Sequence, residues 1–323
     1  MKKFNLVMTM TFAVIVAFLL YFLIINYFVD DYIMNYTDIG RSVALFDFYA
    51  NYNDTEKDIF YIGPSSFKEN IDASLMDAIN DYNNFNLGNP ASTPLRRYVE
   101  IDHIIEAGPE IVVLGVGPMS LSGKWLFPDD HYALISDKVK IDNSLGLYDD
   151  YPINLNKLQI LLYKRKFFSS AIFKKLENVS GNTLYYGDYN IDFKSENILK
   201  QVDKDFDSKF IEEIKSKENF EEFEVPSTDN NEKTAFELII KKLKENGIET
   251  FIVKIPVNPL LLEKIPGEYK KNYNEFISEI SDEHNIKILD YTESYKEDYF
   301  YDGLHLNRFG REEFSKKLAG DVV

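Results

Sequence analysis

Residues 110–118 read EIVVLGVGP, a run of mostly branched apolar side chains that ends in glycines and a proline. Runs of this kind are typical of strands in a parallel sheet, because helices cover both faces of such a sheet. A helical pattern with Pro94 in its first turn and Gly108 at its end precedes the run. A shorter strand pattern at 84–87 comes before that helix and ends in Gly88. The alternation of strands and helices predicts an α/β fold.

A second buried strand pattern lies further upstream, at residues 58–62, and it is ended by Gly63 and Pro64. Ser65 and Ser66 follow, and apolar residues then recur at helical spacing. In this order of strand, sharp turn and helix, the serines lie at the C-terminal edge of the sheet. The free N–H groups of the helix N-terminus lie beside them and favour a developing negative charge.

Helix and strand patterns alternate again in the C-terminal part of the chain. They predict about five parallel strands, covered by helices on both faces and interrupted once. Residues 119–232 form the interruption. We interpret them as one large insertion over the C-terminal edge of the sheet, because structureless loops of this length are uncommon. The later patterns are a helix at 233–246, a strand at 250–255, a helix at 269–284, a strand at 286–290 and a closing helix after Gly310.

Asp302 and His305 lie just before the closing helix. At this spacing both side chains can lie on one turn, where the carboxylate orients the imidazole. A serine hydroxyl needs a base to take its proton as it attacks, so Ser65 is the candidate nucleophile and His305 its base. Ser66 is an alternative nucleophile, and both serines also suit a plain helix N-cap. The backbone N–H groups of Ser65 and Gly88 are candidate donors to an oxyanion.

The N-terminus has the pattern of a membrane anchor. Lys2 and Lys3 precede a run from about residue 6 to 29 without any charged residue, and about 20 apolar residues suffice to cross the hydrocarbon core of a bilayer. The run is longer than the core of a signal peptide, and no cleavage site with small residues follows it. We therefore predict an uncleaved signal anchor at residues 1–29, with a removed signal peptide as the alternative.

The positive-inside rule places these lysines in the cytoplasm and the rest of the chain outside the cell. The prediction is a single-pass protein of the cell membrane with an extracellular C-terminal domain. Residues 30–56 form a membrane-proximal stalk in this interpretation, and 57–323 form the domain. Phe46, Phe48 and Tyr49 of the stalk are expected to pack back on the domain.

Composition excludes several classes of partner and cofactor. The chain has 53 acidic and 36 basic residues, a net charge of -17 and no dense basic cluster, which argues against a nucleic-acid partner. It has no cysteine, so disulfides and thiolate metal sites are excluded. With only four histidines, a structural zinc site is not expected. We predict neither a metal nor a cofactor.

Four blocks at the predicted strand ends resemble those of the SGNH/GDSL hydrolase superfamily. The resemblance covers about residues 58–118 and 234–320 and implies a three-layer, flavodoxin-like SGNH fold, with the insertion outside it. The blocks are Gly63-x-Ser65, Gly88, Gly115–Gly117 and Asp302-x-x-His305.

The resemblance implies a role for each of these positions. Ser65 is the nucleophile, His305 the general base and Asp302 the residue that orients it. The oxyanion hole is then formed by backbone N–H groups of Ser65, Gly88 and Gly117.

Two departures narrow the resemblance to one branch of the superfamily. Pro64 stands where the family usually has aspartate, and the block around Gly117 lacks the usual asparagine of the oxyanion hole. Both losses are similar to those of the membrane-anchored, extracellular branch, which includes the D-alanyl transfer protein of teichoic acid modification and the alginate acetylation proteins. Members of that branch work beside membrane-bound O-acyltransferases.

The implied function is that of an extracellular, membrane-tethered serine acyltransferase or esterase. Its substrates would be O-acyl groups of a cell-surface polymer, glycan or teichoic-acid-like, and its partner a membrane-bound O-acyltransferase. The alternative is a non-catalytic SGNH-like adaptor that binds a polymer or a membrane acyltransferase.

Overall fold

The computed structural model describes residues 2–36, 38–52, 57–90, 92–122, 129–136, 139–168, 171, 212 and 230–323. The chain forms two compact units. The first comprises Met1–Ala44 and Pro128–Ile191, and the second Leu45–Phe127 and Asp192–Val323. Much of the predicted insertion at 119–232 lies outside the described residues, including 123–128 and most of the chain from 169 to 229.

The second unit contains a five-stranded sheet. The strands pair in parallel throughout, in the order β2-β1-β3-β4-β5, which is the flavodoxin-like order. The central strands are almost entirely buried, as their continuous apolar sequences predict. The parallel α/β fold is thus confirmed. The strands are β1 (Asp58–Ile62), β2 (Asn83–Asn86), β3 (Ile111–Val116), β4 (Glu249–Lys254) and β5 (Lys287–Asp290).

The described helices fall into both units. Some predicted helices differ from the structure, because the pattern that follows Ser65 and the pattern that follows Thr93 each form two short helices. In chain order the α-helices are α1 (Lys2–Tyr36), α2 (Asp38–Asn51), α3 (Ser65–Asn70), α4 (Ala73–Asp77), α5 (Pro94–Tyr98), α6 (Ile101–Ala107), α7 (Asp129–Ile135), α8 (Lys157–Lys164), α9 (Asn231–Glu245), α10 (Pro259–Lys264), α11 (Gly267–His284) and α12 (Arg308–Val322).

The break between α3 and α4 has a tertiary cause. Ile71 has an extended backbone, and the N–H of Asp72 donates to Oγ of Ser315 on α12 at 2.8 Å. The side chain of Asp72 then accepts the N–H of Leu75 and caps α4. An unbroken helix from Ser65 to Asp77 could not form these two contacts. The spacing of apolar residues in the sequence does not reveal them.

One face of the sheet packs against α3, α4 and α12 in a continuous core. Its members include Tyr61, Phe67, Val113 and Phe314, all buried. The sheet thereby brings the N-terminus of α3 and the loop before α12 to its C-terminal edge. That edge is where open parallel sheets bind ligands.

The N-terminal end of α9 is held by a buried carboxylate. The side chain of Glu232 is almost entirely buried, and its Oε2 accepts the N–H of Leu95 at 2.8 Å. Burial raises the pKa of Glu232 to about 7, although the hydrogen bonds from Leu95 and Thr93 act to lower it. This group therefore titrates near neutral pH.

The first unit is organised around α1. Val7–Ile24 of this helix is long and apolar enough to cross a membrane, which agrees with the predicted apolar span. The helix continues without a break to Tyr36. Its Val29 and Ile33 are buried in a cluster with Ile160 of α8.

The described part of the predicted stalk is helical except for its last residue, Tyr52. Residues 30–36 belong to α1 and residues 38–51 to α2. Within the second unit, the ring of Phe48 lies 5.8 Å from that of Phe60 on β1, and the hydroxyl of Tyr49 donates to Glu100 at 3.2 Å. The C-terminal half of α2 therefore packs on the domain, as expected for Phe48 and Tyr49.

Candidate active site

Ser65 is the first residue of α3, and only Gly63 and Pro64 separate it from β1. The carbonyl of Pro64 accepts the N–H groups of Phe67 and Lys68 at 3.0 and 2.9 Å, which begins the helix. The carbonyl of Gly63 accepts the N–H of Asn89 at 2.9 Å, and this bond ties the turn to the end of β2. Ser65 is partly exposed, as a nucleophile must be.

Gly63 and Gly115 leave space for the ring of Phe67, two residues after Ser65. A Cβ atom on Gly63 would lie 2.7 Å from Cβ of Phe67, and one on Gly115 would lie 2.3 Å from its Cγ. Two of the glycines that mark the resemblance in sequence thus have a packing role. They let the start of α3 approach β1 and β3 closely.

The loop before α12 holds the aspartate and the histidine. Oδ1 of Asp302 accepts the N–H groups of Leu304 and His305, each at 2.8 Å. This closes a tight turn, and the turn aims the other carboxylate oxygen at the imidazole. Oδ2 of Asp302 lies 2.7 Å from Nδ1 of His305. The spacing of three residues produces the shared turn that it predicts.

His305 connects this loop to Ser65. Its Nε2 lies 3.1 Å from Oγ of Ser65, although 240 residues separate the two in sequence. With Nδ1–H donating to Asp302, Nε2 is the nitrogen that accepts the serine proton. The structure therefore brings Ser65, His305 and Asp302 together in the order that serine nucleophiles require.

Burial and charge act in opposite directions on the imidazole. Burial tends to lower the pKa of His305, but the hydrogen bond and the charge of Asp302, with a further contribution from Glu69, raise it above its usual value. For Asp302, burial tends to raise the pKa, and the contacts with His305 outweigh it, so the pKa is lowered. The aspartate is thus ionised at neutral pH and favours the imidazolium that forms during proton transfer.

Asn70 and Asn258 fix the loop, and sequence reasoning missed both. Asn70 is fully buried. Its Oδ1 accepts the N–H of Leu306 at 2.8 Å, and its Nδ2 donates to the carbonyl of Leu304 at 3.3 Å. The N–H and the Nδ2 of Asn258 donate to the carbonyls of Gly303 and Asp302. The two asparagines therefore hold the backbone on either side of His305.

Glu69 is a second carboxylate beside the imidazole, and sequence reasoning missed it as well. Its Oε2 lies 4.0 Å from Nε2 of His305 and accepts a short hydrogen bond from the hydroxyl of Tyr301. The ring of Tyr301 stacks on His305 at 5.4 Å between centroids and 12° between planes. The spacing of four residues from Ser65 was the available signal, since it places Glu69 one helical turn further on.

The N–H groups of Gly88 and Gly117 already have acceptors in this structure. The N–H of Gly88 donates to Oδ1 of Asn86 at 3.2 Å, and that of Gly117 donates to Oγ of Ser120 at 3.1 Å. A Cβ atom on Gly88 would lie 2.6 Å from Cα of Lys68, so close packing also accounts for this glycine. The oxyanion roles of both glycines stay predictions.

Within the part of the chain that the structure describes, three potential metal ligands cluster at one place. They are Glu237 on α9 with Glu283 and His284 at the end of α11, and their ligand atoms lie within 4.8 Å of one another. Both glutamates are exposed. None of the three belongs to the group around Ser65 and His305.

A protein-family model matches part of the chain. Residues 187–319 match the model described as DltD protein. Over this segment, which is less than half of the chain, the sequence resembles DltD. The DltD match includes Asp302 and His305. It begins at residue 187, so it does not include Ser65. The link between the serine and the DltD-like segment is therefore the geometry described above.

Solved structures that resemble this chain include three acyl-ester hydrolases. An acetyl xylan esterase has a TM-score of 0.42 and 12% identity, covering 82% of this chain and 100% of its own. A GDSL-like lipase from Bacteroides thetaiotaomicron has a TM-score of 0.40 and 12% identity, covering 87% and 100%. A lipase/acylhydrolase from Enterococcus faecalis has a TM-score of 0.39 and 11% identity, covering 82% and 95%. No curated protein sequence matches the chain.

Proposed function

We propose that this protein is a membrane-tethered serine esterase or acyltransferase that acts on O-acyl groups of a cell-surface polymer. The observation that carries the proposal is the chain of contacts from Asp302 through His305 to Ser65, with distances of 2.7 and 3.1 Å. The DltD match over residues 187–319 supports the acyl chemistry. A membrane-bound O-acyltransferase is the proposed partner, and a glycan or teichoic-acid-like polymer the proposed substrate.

The reaction follows from the positions of these side chains. Oγ of Ser65 attacks the ester carbonyl while Nε2 of His305 takes its proton, and the charge of Asp302 stabilises the imidazolium. The tetrahedral oxyanion collapses, the ester C–O bond breaks, and Nε2–H protonates the leaving alkoxide. An acyl-Ser65 ester remains. Water then regenerates the enzyme by hydrolysis, or a polymer hydroxyl does so by transfer.

The oxyanion needs a donor that is still available. Ser65 begins α3, so no carbonyl within the helix accepts its N–H, and this N–H is the donor that we propose. A single oxyanion donor contributes about 3 kcal/mol to transition-state stabilisation.

A non-catalytic adaptor is the competing function. An adaptor has no need for an activated serine, and its Ser65 would lie beyond hydrogen-bond reach of the imidazole or behind another side chain. The 3.1 Å distance between Oγ and Nε2 favours the enzyme. The altered blocks around Pro64 and Gly117 are the features that favour the adaptor.

We further propose that α1 is an uncleaved anchor with the C-terminal domain outside the cell. The apolar span Val7–Ile24 runs directly into a helical segment whose Val29 and Ile33 are buried in the core of the first unit. Removal of the span as a signal peptide would cut this helix close to its packed part. Protease protection in intact and lysed cells tests the orientation, and a cytoplasmic domain would refute it.

Serine labelling tests the chemistry directly. The full chain in detergent is treated with a fluorophosphonate probe, and turnover of a soluble ester is followed in parallel. We expect Ser65→Ala to abolish labelling and to lower turnover by about 10⁴- to 10⁶-fold. Ser66→Ala is the matched control, since it removes the adjacent, buried hydroxyl and should leave both readouts near wild type.

The two variants also separate the alternatives. Labelling that is lost in Ser66→Ala and kept in Ser65→Ala would assign the nucleophile to Ser66. Folded wild-type protein that neither reacts with the probe nor turns over any ester or acylated polymer would contradict the enzyme and favour the adaptor.

A further inference from the structure

A stripe of exposed side chains runs along α8 into the short 3₁₀ turn that follows it. Leu158 and Leu162 are 59% and 52% exposed, and Arg165 is also exposed. Steps of four and three residues place all three on one side of a helix. Ile160 and Leu161, on the other side, are buried in the cluster with α1. Leu158 and Leu162 therefore do not belong to the core of this unit.

This segment lies beside one end of the membrane-crossing part of α1. The ring of Phe168, just after the 3₁₀ turn, lies 6.3 Å from the ring of Tyr21, and Tyr21 belongs to the apolar span that ends at Ile24. At 1.5 Å per residue, Tyr21 is about 5 Å inside the end of that span. Nζ of Lys164 lies 2.8 Å from Oδ1 of Asp30, beyond the span. The two contacts fix α8 at the level where hydrocarbon gives way to water.

The charge of this segment is opposite to that of the whole chain. Residues 157–166 read KLQILLYKRK, with four basic residues and no acidic one, in a protein of net charge -17. Lys164 is paired with Asp30. Lys157, Arg165 and Lys166 are exposed, and Nζ of Lys166 lies 4.8 Å from the centroid of the Tyr163 ring. Basic residues beside exposed leucines at this depth are the composition of a helix that lies in a membrane interface.

We propose that α8 is an interfacial helix that binds anionic phospholipid at the membrane surface. Leu158 and Leu162 enter the boundary between headgroups and acyl chains, and Arg165 contacts lipid phosphate. The first unit thereby has a second attachment to the bilayer beside α1. The inference requires α1 to cross a membrane, and it is independent of the chemistry at Ser65.

Site-directed fluorescence tests the proposal, and the absence of cysteine makes every introduced thiol unique. The full chain carries Leu162→Cys, labelled with an environment-sensitive dye, and is reconstituted into nanodiscs of phosphatidylglycerol and phosphatidylcholine. The control is Gln159→Cys on the same helix. Around the helix axis, Gln159 lies about 60° from Leu162, about 100° from Leu158 and about 120° from Arg165, so it lies beside the stripe rather than at its centre. Gln159 accepts the N–H of Asn156 in the helix cap, so thermal unfolding of both variants is compared first.

We expect emission from position 162 to shift to shorter wavelength and to be quenched by nitroxide lipids more strongly than emission from position 159. A nitroxide near the headgroup should quench more than one near the chain end, because interfacial helices lie only about 5–10 Å deep. Replacing phosphatidylglycerol by phosphatidylcholine should weaken the quenching, and so should the Arg165→Gln/Lys166→Gln pair in the anionic discs.

Two results would overturn the proposal. Equal quenching at positions 162 and 159 would show that the stripe does not face lipid. A blue shift at position 162 without lipid quenching would show that protein covers the stripe instead.

Discussion

Asn70 gives the sharpest test of how this site is held together. The substitution Asn70→Ala removes two hydrogen bonds to the backbone that flanks His305, at 2.8 and 3.3 Å. The side chain of Asn70 is fully buried. Without it, the N–H of Leu306 loses its acceptor and the carbonyl of Leu304 loses its donor. A buried polar group without its partner costs about 1–3 kcal/mol. We expect a loss of about 2–4 kcal/mol in the free energy of unfolding.

The effect on activity should be larger than stability alone explains. Asn70 ties the helix that begins with Ser65 to the loop that carries His305, so its loss loosens the 3.1 Å contact between them. A misplacement of about 1 Å can cost roughly 10²-fold in rate. We therefore expect kcat/KM and the rate of fluorophosphonate labelling to fall by about 10²-fold, measured at a temperature where the variant is fully folded.

Asn84→Ala is the matched control for this substitution. Asn84 is equally buried and also makes several side-chain hydrogen bonds, but its partners are Asp77, Asn80, Tyr61 and the carbonyl of Tyr82. We expect a similar loss of stability with near-normal labelling. If Asn70→Ala and Asn84→Ala lose the same stability and both keep wild-type labelling rates, the positioning role of Asn70 is refuted.

Three other substitutions test separate features. The charge of Glu69 contributes to the raised pKa of His305, so Glu69→Gln should move the acidic limb of the kcat/KM profile to lower pH; an unchanged limb would contradict this. The pKa of Glu232 is about 7 in the folded protein against an ordinary 4.5, so the stability that its protonated form contributes is full below pH 4.5 and is lost as the pH rises to 7. At pH 8 the free energy of unfolding of Glu232→Gln should therefore exceed that of wild type by up to about 3 kcal/mol, with little difference at pH 4.5; a gain in stability that does not depend on pH would contradict titration of Glu232 as its cause. Gly115→Ala places a Cβ 2.3 Å from the packed ring of Phe67, so it should lower the free energy of unfolding by about 1–3 kcal/mol and also lower the labelling rate. The control is Gly320→Ala in α12, where a Cβ would have nothing within 4 Å, and it should be neutral or stabilising. Equal effects of the two substitutions would refute the packing argument.

The strands were predictable because a strand that is buried on both faces has a continuous apolar sequence. Such a sequence can be recognised without knowing which distant residues pack against it. Thus β1 was predicted at its observed limits, 58–62, and β3 within two residues at each end. Ser65, Asp302 and His305 could be singled out as candidates because their chemistry requires particular residue types, one after a strand and two before the closing helix. Their distances from one another follow only from the folded sheet.

Residues that position the site were missed for the opposite reason. Asn70 and Glu69 are ordinary polar residues in a short helix, and their roles come from partners more than 230 residues away in sequence. One local signal for Asn70 did exist. It stands three residues after Phe67 and one before Ile71, on the core-facing side of α3, where a polar residue needs a buried partner. The break after Asn70 had no comparable signal, because Ser315 on α12 contributes to it.

The position of Phe67 accounts for the unusual third block of this chain. Its ring fills the space beside Gly115 at the C-terminal end of β3, two residues after the nucleophile. The side chain of Ser120 takes up the N–H of Gly117 at the same strand end. The N–H of Gly117 therefore already has an acceptor in this structure, and the donor that we propose for the oxyanion is the N–H of Ser65. The N–H of Ser65, at the start of α3, is on the element that Phe67 anchors. Under the proposed mechanism, the packing of Phe67 positions this N–H, so we expect a change at Gly115 to lower the labelling rate through the placement of α3.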